Sequence, residues 1–251
     1  NLEIAISTKI GGQIEEPGAV TVPARLLTEF VNSLPPAETI DMAYTAQPVG
    51  LSLKCARFKA NINGNPHDEF PPIPTVADGS AIRIAGQTLS NAIAHVGFAA
   101  ATEDSRPVLT GMKVEIKDDD FTFAAADGFR LAVFHGKLAE PVDEEVEFII
   151  PAKTMIEIRR LIGGLNTTVE FTVTASDKQA LFRMDKVEVV SQLVDGAFPN
   201  YQQLIPADYK NRLVVEQKEF LRATRTASIF AKDGSGIVRL EALKEGEDNT
   251  G

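Results

Sequence analysis

The feature that most constrains this chain is a repeat with a spacing of 128 residues. Pro23 in "TVPARLL" corresponds to Pro151 in "IIPAKTM", and Phe70 in "HDEFPPIP" corresponds to Phe198 in "LVDGAFPNYQQLIP". Each proline opens a helical pattern, and each Phe-Pro pair follows a stretch of alternating sequence. Two landmarks that share one offset predict a supersecondary unit that occurs twice.

The pattern of apolar residues predicts a helix, a turn and several alternating strands in each unit, followed by a second helix and further strands. The predicted helices are 25–34, 86–100, 152–163 and 217–231. The predicted strands are 39–46, 49–62 with a tight turn near 54–56, 81–86, 110–116, 121–126, 168–175, 179–193, 212–217 and 235–243. Strands with one apolar face need helices to cover that face. We therefore expect an α+β fold of serial repeated domains, in which antiparallel sheet backs two helices in each domain.

The repeat also predicts where domains begin and end. Residues 81–206 hold one complete unit, residues 1–80 hold the carboxyl-terminal part of a preceding unit, and residues 207–251 hold the amino-terminal part of a following one.

Composition excludes several classes of protein. The longest apolar runs, such as "VGFAAA", are too short for a membrane span, and no leader opens the chain, so a soluble cytoplasmic protein is expected. The single cysteine, Cys55, cannot form an internal disulfide and is interpreted as an apolar filler. A net charge of -10 argues against a protein that coats nucleic acid by bulk charge.

No pattern indicates a catalytic residue, a metal or a cofactor. The histidines His67, His95 and His135 lack the spacing of metal ligands. The run 118–120 and Asp127 in "AAADGFRLA" favour turns between strands. The glycines at 163–164 and 234–236 follow predicted helices, which is typical of helix stops and not of phosphate loops.

Charge is distributed unevenly between the predicted helices and the rest of the chain. The four helices carry seven basic and three acidic residues, a net of +4, so the remaining residues carry -14. Lys218, Arg222 and Arg225 follow i, i+4, i+7 spacing on one helix face and could track phosphates. A solvated surface is the alternative interpretation of that face.

Four motifs in order carry a resemblance to a known family. "EDSRPVLTGMKVEI", "AADGFRLA", "IIPAK" and "LVDGAFPNYQQLIP" resemble the bacterial DNA polymerase III beta subunit, the replication sliding clamp. The resemblance implies the DNA clamp fold, in which three similar domains lie head to tail and two chains form a ring around double-stranded DNA. At a repeat of 128, three domains need about 384 residues, so the chain resembles a part of such a protein.

The resemblance further implies a processivity factor without catalytic activity of its own. It would be a non-catalytic subunit of the DNA polymerase III holoenzyme, with DNA-directed DNA polymerase activity only by association. Its partners would be double-stranded DNA, the DNA polymerase III catalytic subunit, the clamp loader complex, other replication and repair proteins with short peptide motifs, and a second copy of the chain.

Three sets of site residues follow from the resemblance. The DNA-facing set is Arg25, Glu103, Arg106, Lys153, Arg159, Arg160, Lys218, Arg222 and Arg225. The partner-peptide pocket is Leu109, Ala126, Gly128, Phe129, Arg130, Leu131, Pro199, Gln203 and Leu204. The dimer seam is Arg57, Phe58, Ala60, Ile229 and Phe230. Two other functions remain open at this point: a tandem-repeat scaffold without a nucleic acid role, and an Asp-dependent nuclease.

Overall fold

The computed structural model describes residues 3–71, 73, 81–103, 105–164, 166–174, 178–210, 212–232 and 234–241. It divides into two compact units, residues 1–199 and residues 200–251. Positions 72 and 74 of "HDEFPPIP", position 104 of the predicted DNA-facing loop and positions 242–243 of a predicted strand lie outside the described residues.

Twelve strands and four helices are present in the described residues. In chain order they are β1 (Ile4–Thr8), α1 (Ala24–Asn32), β2 (Asp41–Ala46), β3 (Val49–Cys55), β4 (Phe58–Asn63), β5 (Ile82–Ala85), α2 (Gly86–Val96), β6 (Gly111–Lys117), β7 (Asp120–Ala126), β8 (Leu131–Lys137), β9 (Val146–Pro151), α3 (Ala152–Ile162), β10 (Thr168–Thr174), β11 (Gln179–Met184), β12 (Val187–Gln192) and α4 (Gln217–Ala231). Short 3-10 helices lie at His67–Glu69, Gly97–Ala99, Pro107–Thr110 and Gln202–Leu204.

The predicted repeat is confirmed within the first unit. The order α1-β2-β3-β4 recurs as α3-β10-β11-β12, and both sets of strands pair antiparallel. Pro23 and Pro151 occupy the N-cap positions of α1 and α3, with φ of -58° and -53°. Proline suits this position because its fixed φ matches the start of a helix and it has no N–H group to leave unbonded.

The predicted turns are also confirmed. β3 turns into β4 at Ala56, which has a φ of 47°, and β6 turns into β7 at Asp118, with a φ of 52°. Gly163 ends α3 in the left-handed region, at φ 61°, and its N–H donates to the Arg159 carbonyl. The glycines at 163–164 are therefore a helix stop.

The strands form three antiparallel sheets, which confirms the α+β class. The sheet orders are β1-β12-β11-β10-β5, β8-β7-β6-β9 and β2-β3-β4. β1 extends the first of these by pairing Ile4 with Ser191 through to Thr8 with Val187. No strand was predicted for this segment from the sequence.

One apolar cluster joins α2 and α3 to two of the sheets. α2 contacts β5, β7, β8 and β10, and α3 contacts β6 and β9. Leu89 and Ile93 of α2, Met155 of α3, Phe121 of β7 and Phe182 of β11 are almost completely buried there. A buried hydroxyl pair, Thr154 with Ser191 at 2.9 Å, also joins α3 to β12.

Cys55 is buried in β3, in agreement with its interpretation as an apolar filler. None of the helices in the described ranges is long and apolar enough to cross a membrane.

Two predicted strands in the second unit are wrong. Residues 212–216 are not in a strand, Gln217 is already helical, and residues 237–241 are irregular. Leu213, Val214 and Ile237 are exposed. Alternation indicates which side chains a strand would bury, but a strand also requires a neighbour for its hydrogen bonds. No strand occurs among the described residues of this unit, so neither segment has such a neighbour there.

Candidate nucleic-acid and partner-binding surfaces

Most of the predicted DNA-facing residues of the first unit lie on exposed helix faces, whereas Glu103 and Arg106 are exposed in a loop. α3 buries Ala152, Met155, Ile158 and Ile162, which leaves Lys153 and Arg160 exposed on the opposite face. Arg159 is exposed too, and Arg25 is exposed on α1.

Each of these helices also carries one acidic residue that pairs with an arginine. Arg25 Nε lies 2.7 Å from Glu29 Oε1, and Arg160 Nε lies 3.0 Å from Glu157 Oε2. The hydrogen bond between Arg160 and Glu157 lowers the pKa of Glu157 and raises the pKa of Arg160. Lys153 and Arg159 form no ion pair in the part of the chain that the structure describes, so they are the cations available on α3.

In the second unit, α4 presents Lys218, Arg222 and Arg225 along one exposed face. Arg222 pairs with Glu219 at 2.6 Å. At 3.6 residues per turn, Ile229 lies on the same face, eleven residues after Lys218. Ile229, which was predicted for the dimer seam, therefore lies in line with the predicted DNA-facing residues Lys218, Arg222 and Arg225. The sequence did not indicate this alignment.

The turn between β7 and β8 is held by one carboxylate. Asp127 Oδ1 accepts hydrogen bonds from the backbone N–H groups of Phe129 and Arg130, both at 2.9 Å. Its Oδ2 accepts one from Arg130 Nε at 2.8 Å. Asp127 therefore shapes the turn, as the "ADG" sequence predicted, and in addition fixes the side chain of a predicted pocket residue, a role that sequence reasoning missed.

Three loops of the first unit lie close together beside this turn, and they are here called the loop cluster. They comprise residues 97–103 and 105–110, residues 126–131, and residues 193–199. A Cβ atom at Gly128 would lie 3.6 Å from Arg106 Nη1, and one at Gly196 would lie 2.7 Å from Val108 Cγ2. Arg106, which was predicted to face DNA, thus lies next to the predicted pocket residue Gly128. Because the φ of Gly128 is +93°, a side chain there would strain the turn.

The remaining pocket residues have different surroundings. Leu109 is buried, and Ala126 and Leu131 are paired across β7 and β8. Phe129 and Pro199 are exposed. Gln203 and Leu204 belong to the second unit, where both are exposed on the 3-10 helix Gln202–Leu204.

The predicted seam residues of the first unit lie at a sheet edge. β4 is an edge strand of β2-β3-β4; it carries Phe58 and Ala60, and Arg57 precedes it in the turn. The Arg57 guanidinium lies 5.5 Å from the Phe58 ring centroid. In the second unit, Ile229 and Phe230 are exposed in the last turn of α4.

Two of the aspartates considered for a nuclease, Asp119 and Asp120, pair with a lysine. Lys137 Nζ lies 2.8 Å from Asp119 Oδ2 and 3.2 Å from Asp120 Oδ1. The hydrogen bond from Lys137 lowers the pKa of Asp119. The described residues contain no group of three His, Cys, Asp or Glu side chains that could hold a metal ion. The predicted turn between strands lies at residues 118–119, and Asp120 already begins β7.

Comparison with known proteins identifies the family. Residues 83–200 match the family described as "DNA polymerase III beta subunit, central domain". Residues 83–200 therefore form a central domain of the DNA polymerase III beta subunit family. This confirms the resemblance carried by the four sequence motifs.

Individual members of the family match most of the chain. It is 33% identical over 230 residues to the beta sliding clamp of Bacillus subtilis, which covers 91% of this chain and 60% of that protein. A crystal structure of the Bacillus subtilis clamp matches with a TM-score of 0.82 at 30% identity, over 99% of this chain and 63% of that one. A Pseudomonas aeruginosa clamp bound to griselimycin matches with a TM-score of 0.83 at 28% identity, over 91% and 61%. The chain thus spans about three fifths of the length of these family members.

The Asp127 carboxyl group should titrate below its ordinary pKa of 3.8, mainly because the backbone N–H groups of Phe129 and Arg130 stabilise its charged form, with the Arg130 guanidinium adding to the effect. Since the folded-state pKa is lowered, the stability that this carboxylate provides is present above the unfolded-state pKa. That stability is lost as the pH falls through the folded-state pKa.

A carboxyl-detected NMR titration measures this pKa. In Arg130→Ala the pKa should rise only part of the way towards its ordinary value, because both backbone donors remain. A complete return in that variant would show that the guanidinium is the main cause.

Proposed function

We propose that this chain is part of a replication sliding clamp, a processivity factor in which two copies form a ring around double-stranded DNA. The observation that carries this proposal is the charge distribution. The chain has a net charge of -10, yet α3 and α4 present exposed cations that form no ion pair among the described residues, namely Lys153, Arg159, Lys218 and Arg225. The match of residues 83–200 to the beta subunit family supports the same function. Because these family members are longer than the chain, the activity of the whole protein is part of this proposal.

The distribution of charge suits a protein that encloses DNA better than one that binds it tightly through many phosphate contacts. A protein that binds tightly by charge needs many phosphate contacts and becomes strongly salt-dependent. A closed ring stays on DNA by topology, so a small number of cations on the inner surface is sufficient. In this proposal Arg25, Lys153, Arg159, Arg160, Lys218, Arg222 and Arg225 face the DNA backbone, with Glu103 and Arg106 at the edge.

The ring would act as a tether without catalysing a reaction. Its partners would be the DNA polymerase III catalytic subunit, the clamp loader complex, and other replication and repair proteins, in the cytoplasm. The loop cluster, with Gly128, Phe129 and Arg130 at its turn, would take short peptide motifs of these proteins. The griselimycin bound by the Pseudomonas aeruginosa clamp supplies a second probe for ligand binding by this chain.

The first test is topological. After loading by a clamp loader complex, the protein should remain on nicked circular DNA during gel filtration, and it should dissociate when the same DNA is cut once, because a ring slides off a free end. Equal retention on circular and linear DNA would contradict a ring.

The second test concerns charge. Lys153→Glu combined with Arg159→Glu should weaken binding to a DNA duplex and flatten its salt dependence, by about 0.9 in the slope of log K against log salt for each phosphate that the variant no longer neutralises. Fluorescence anisotropy over a salt series measures both effects. The matched control is Lys117→Glu with Lys137→Glu, which changes the net charge equally but on a sheet. An equal weakening in the control would mean that only net charge matters.

The third test concerns the seam. Phe58→Glu should shift the protein from dimer towards monomer, because burying an unpaired charge at an apolar contact is costly. Tyr44→Glu is the control, since Tyr44 is an exposed aromatic residue on β2, the other edge of the same sheet. Sedimentation velocity compares the variants. A dimer that persists in Phe58→Glu would place the seam elsewhere.

The fourth test concerns the pocket. A short peptide with a polar first residue and a Leu-Phe end should bind with a micromolar Kd, about -8 kcal/mol. Leu204→Asp should abolish binding, because it puts a charge in place of an exposed apolar side chain that the peptide would cover. Leu213→Asp is the control, since both leucines are 70% exposed in the second unit. Isothermal titration calorimetry decides between them, and unchanged binding by Leu204→Asp would remove Leu204 from the pocket.

A further inference from the structure

Phe98 is a large aromatic residue that the fold leaves mostly exposed. It lies on the 3-10 helix Gly97–Ala99, where Gly97 and Ala99 are buried while Phe98 remains 60% exposed. An exposed aromatic ring gains little from burial, so its specific contacts are informative. The guanidinium carbon of Arg130 lies 5.7 Å from the centroid of this ring, within the range of a cation–π interaction.

Arg130 is therefore held from two directions. Its Nε donates to Asp127 Oδ2, and its guanidinium group lies over the Phe98 ring. Within the described ranges of the chain, Nη1 and Nη2 of Arg130 take part in no hydrogen bond. The planar group is thus fixed by its inner nitrogen and by the ring, while its two outer nitrogens keep their donors for another molecule.

We propose that Phe98 is a positioning residue for Arg130 in the partner-peptide site. The inference rests on the proposed function of the loop cluster as that site. An arginine held before the peptide arrives loses less conformational freedom on binding than a mobile one. The two outer nitrogens then donate to an oxygen of the peptide, either a backbone carbonyl or a carboxylate. Phe98 acts through Arg130 and need not touch the peptide.

Substitutions at Phe98 distinguish the contribution of its aromatic face from that of its apolar volume. Phe98→Leu keeps an apolar side chain but removes the aromatic face, and Phe98→Tyr keeps that face. Phe98→Leu should weaken binding of the short peptide with a polar start and a Leu-Phe end, and of griselimycin, about two- to fivefold, which corresponds to about 0.5–1 kcal/mol for an exposed cation–π pair. Phe98→Tyr should bind like the wild type. Tyr44→Leu, which removes an exposed aromatic ring from β2, should have no effect.

A double-mutant cycle decides whether the effect passes through Arg130. In an Arg130→Gln background, Phe98→Leu should cause no further decrease in affinity, because the residue that it positions is already absent. An equal decrease in both backgrounds would show that the ring contacts the peptide directly, and this would overturn the proposal. Unchanged affinity in the wild-type background would overturn it as well.

An NMR measurement tests the stack without any ligand. The Arg130 side-chain proton signals should be shifted by the ring current of Phe98 in the wild type and in Phe98→Tyr, and that shift should disappear in Phe98→Leu. Unchanged signals in Phe98→Leu would overturn the proposal. The wild type could show the ring-current shift of Arg130 and yet bind neither the peptide nor griselimycin. That result would refute the peptide site but not the contact between Phe98 and Arg130. Failure of the proposed function is therefore distinguishable from failure of the positioning role.

Discussion

The packing of α2 and α3 against two sheets is the constraint on which the surfaces of the first unit depend. Both helices and both sheets contribute to one apolar cluster, so each helix must turn one face inward along its whole length. α3 does so with residues such as Met155 and Ile158, and its 3.6-residue period then leaves Lys153 and Arg160 outside. Burial of one face thus determines which side chains are available for a charged partner.

Local rules made much of this fold predictable from the sequence. Proline before a helix, glycine after one and strict alternation in hairpins each act over a few neighbouring residues, and the predicted helices and turns of the first unit are confirmed. Non-local pairing was not predictable. β1 pairs with β12, far along the chain, with Ile4 opposite Ser191, and alternation shows which face a strand buries but not which strand lies beside it. The same limit explains the wrong strands at 212–217 and 235–243.

The candidate sites, like the fold, were predictable from the sequence only in their local features. The motifs located the residues, and "ADG" predicted the turn at Asp127, but no motif indicated which residues are neighbours in space. Arg106 lies next to Gly128, and Phe98 lies against Arg130. Both contacts join loops that are separated along the chain and are brought together by the core beneath them. These contacts depend on how the core packs, so they could not be predicted from the sequence motifs.

The acidic residues on the helices have a consequence for the proposed function. Glu29, Glu157 and Glu219 each pair with an arginine on the same helix, and such exposed pairs contribute little to stability. They do reduce the positive charge that these helix faces would present to DNA in the proposed function. Seven independent phosphate contacts would give a salt slope of about -6, whereas four would give about -4. On the proposed function, weaker and less salt-sensitive contact favours sliding, because topology rather than charge keeps a ring on DNA. A combination of half-neutralised arginines and free cations therefore suits a clamp better than a fully basic lining would.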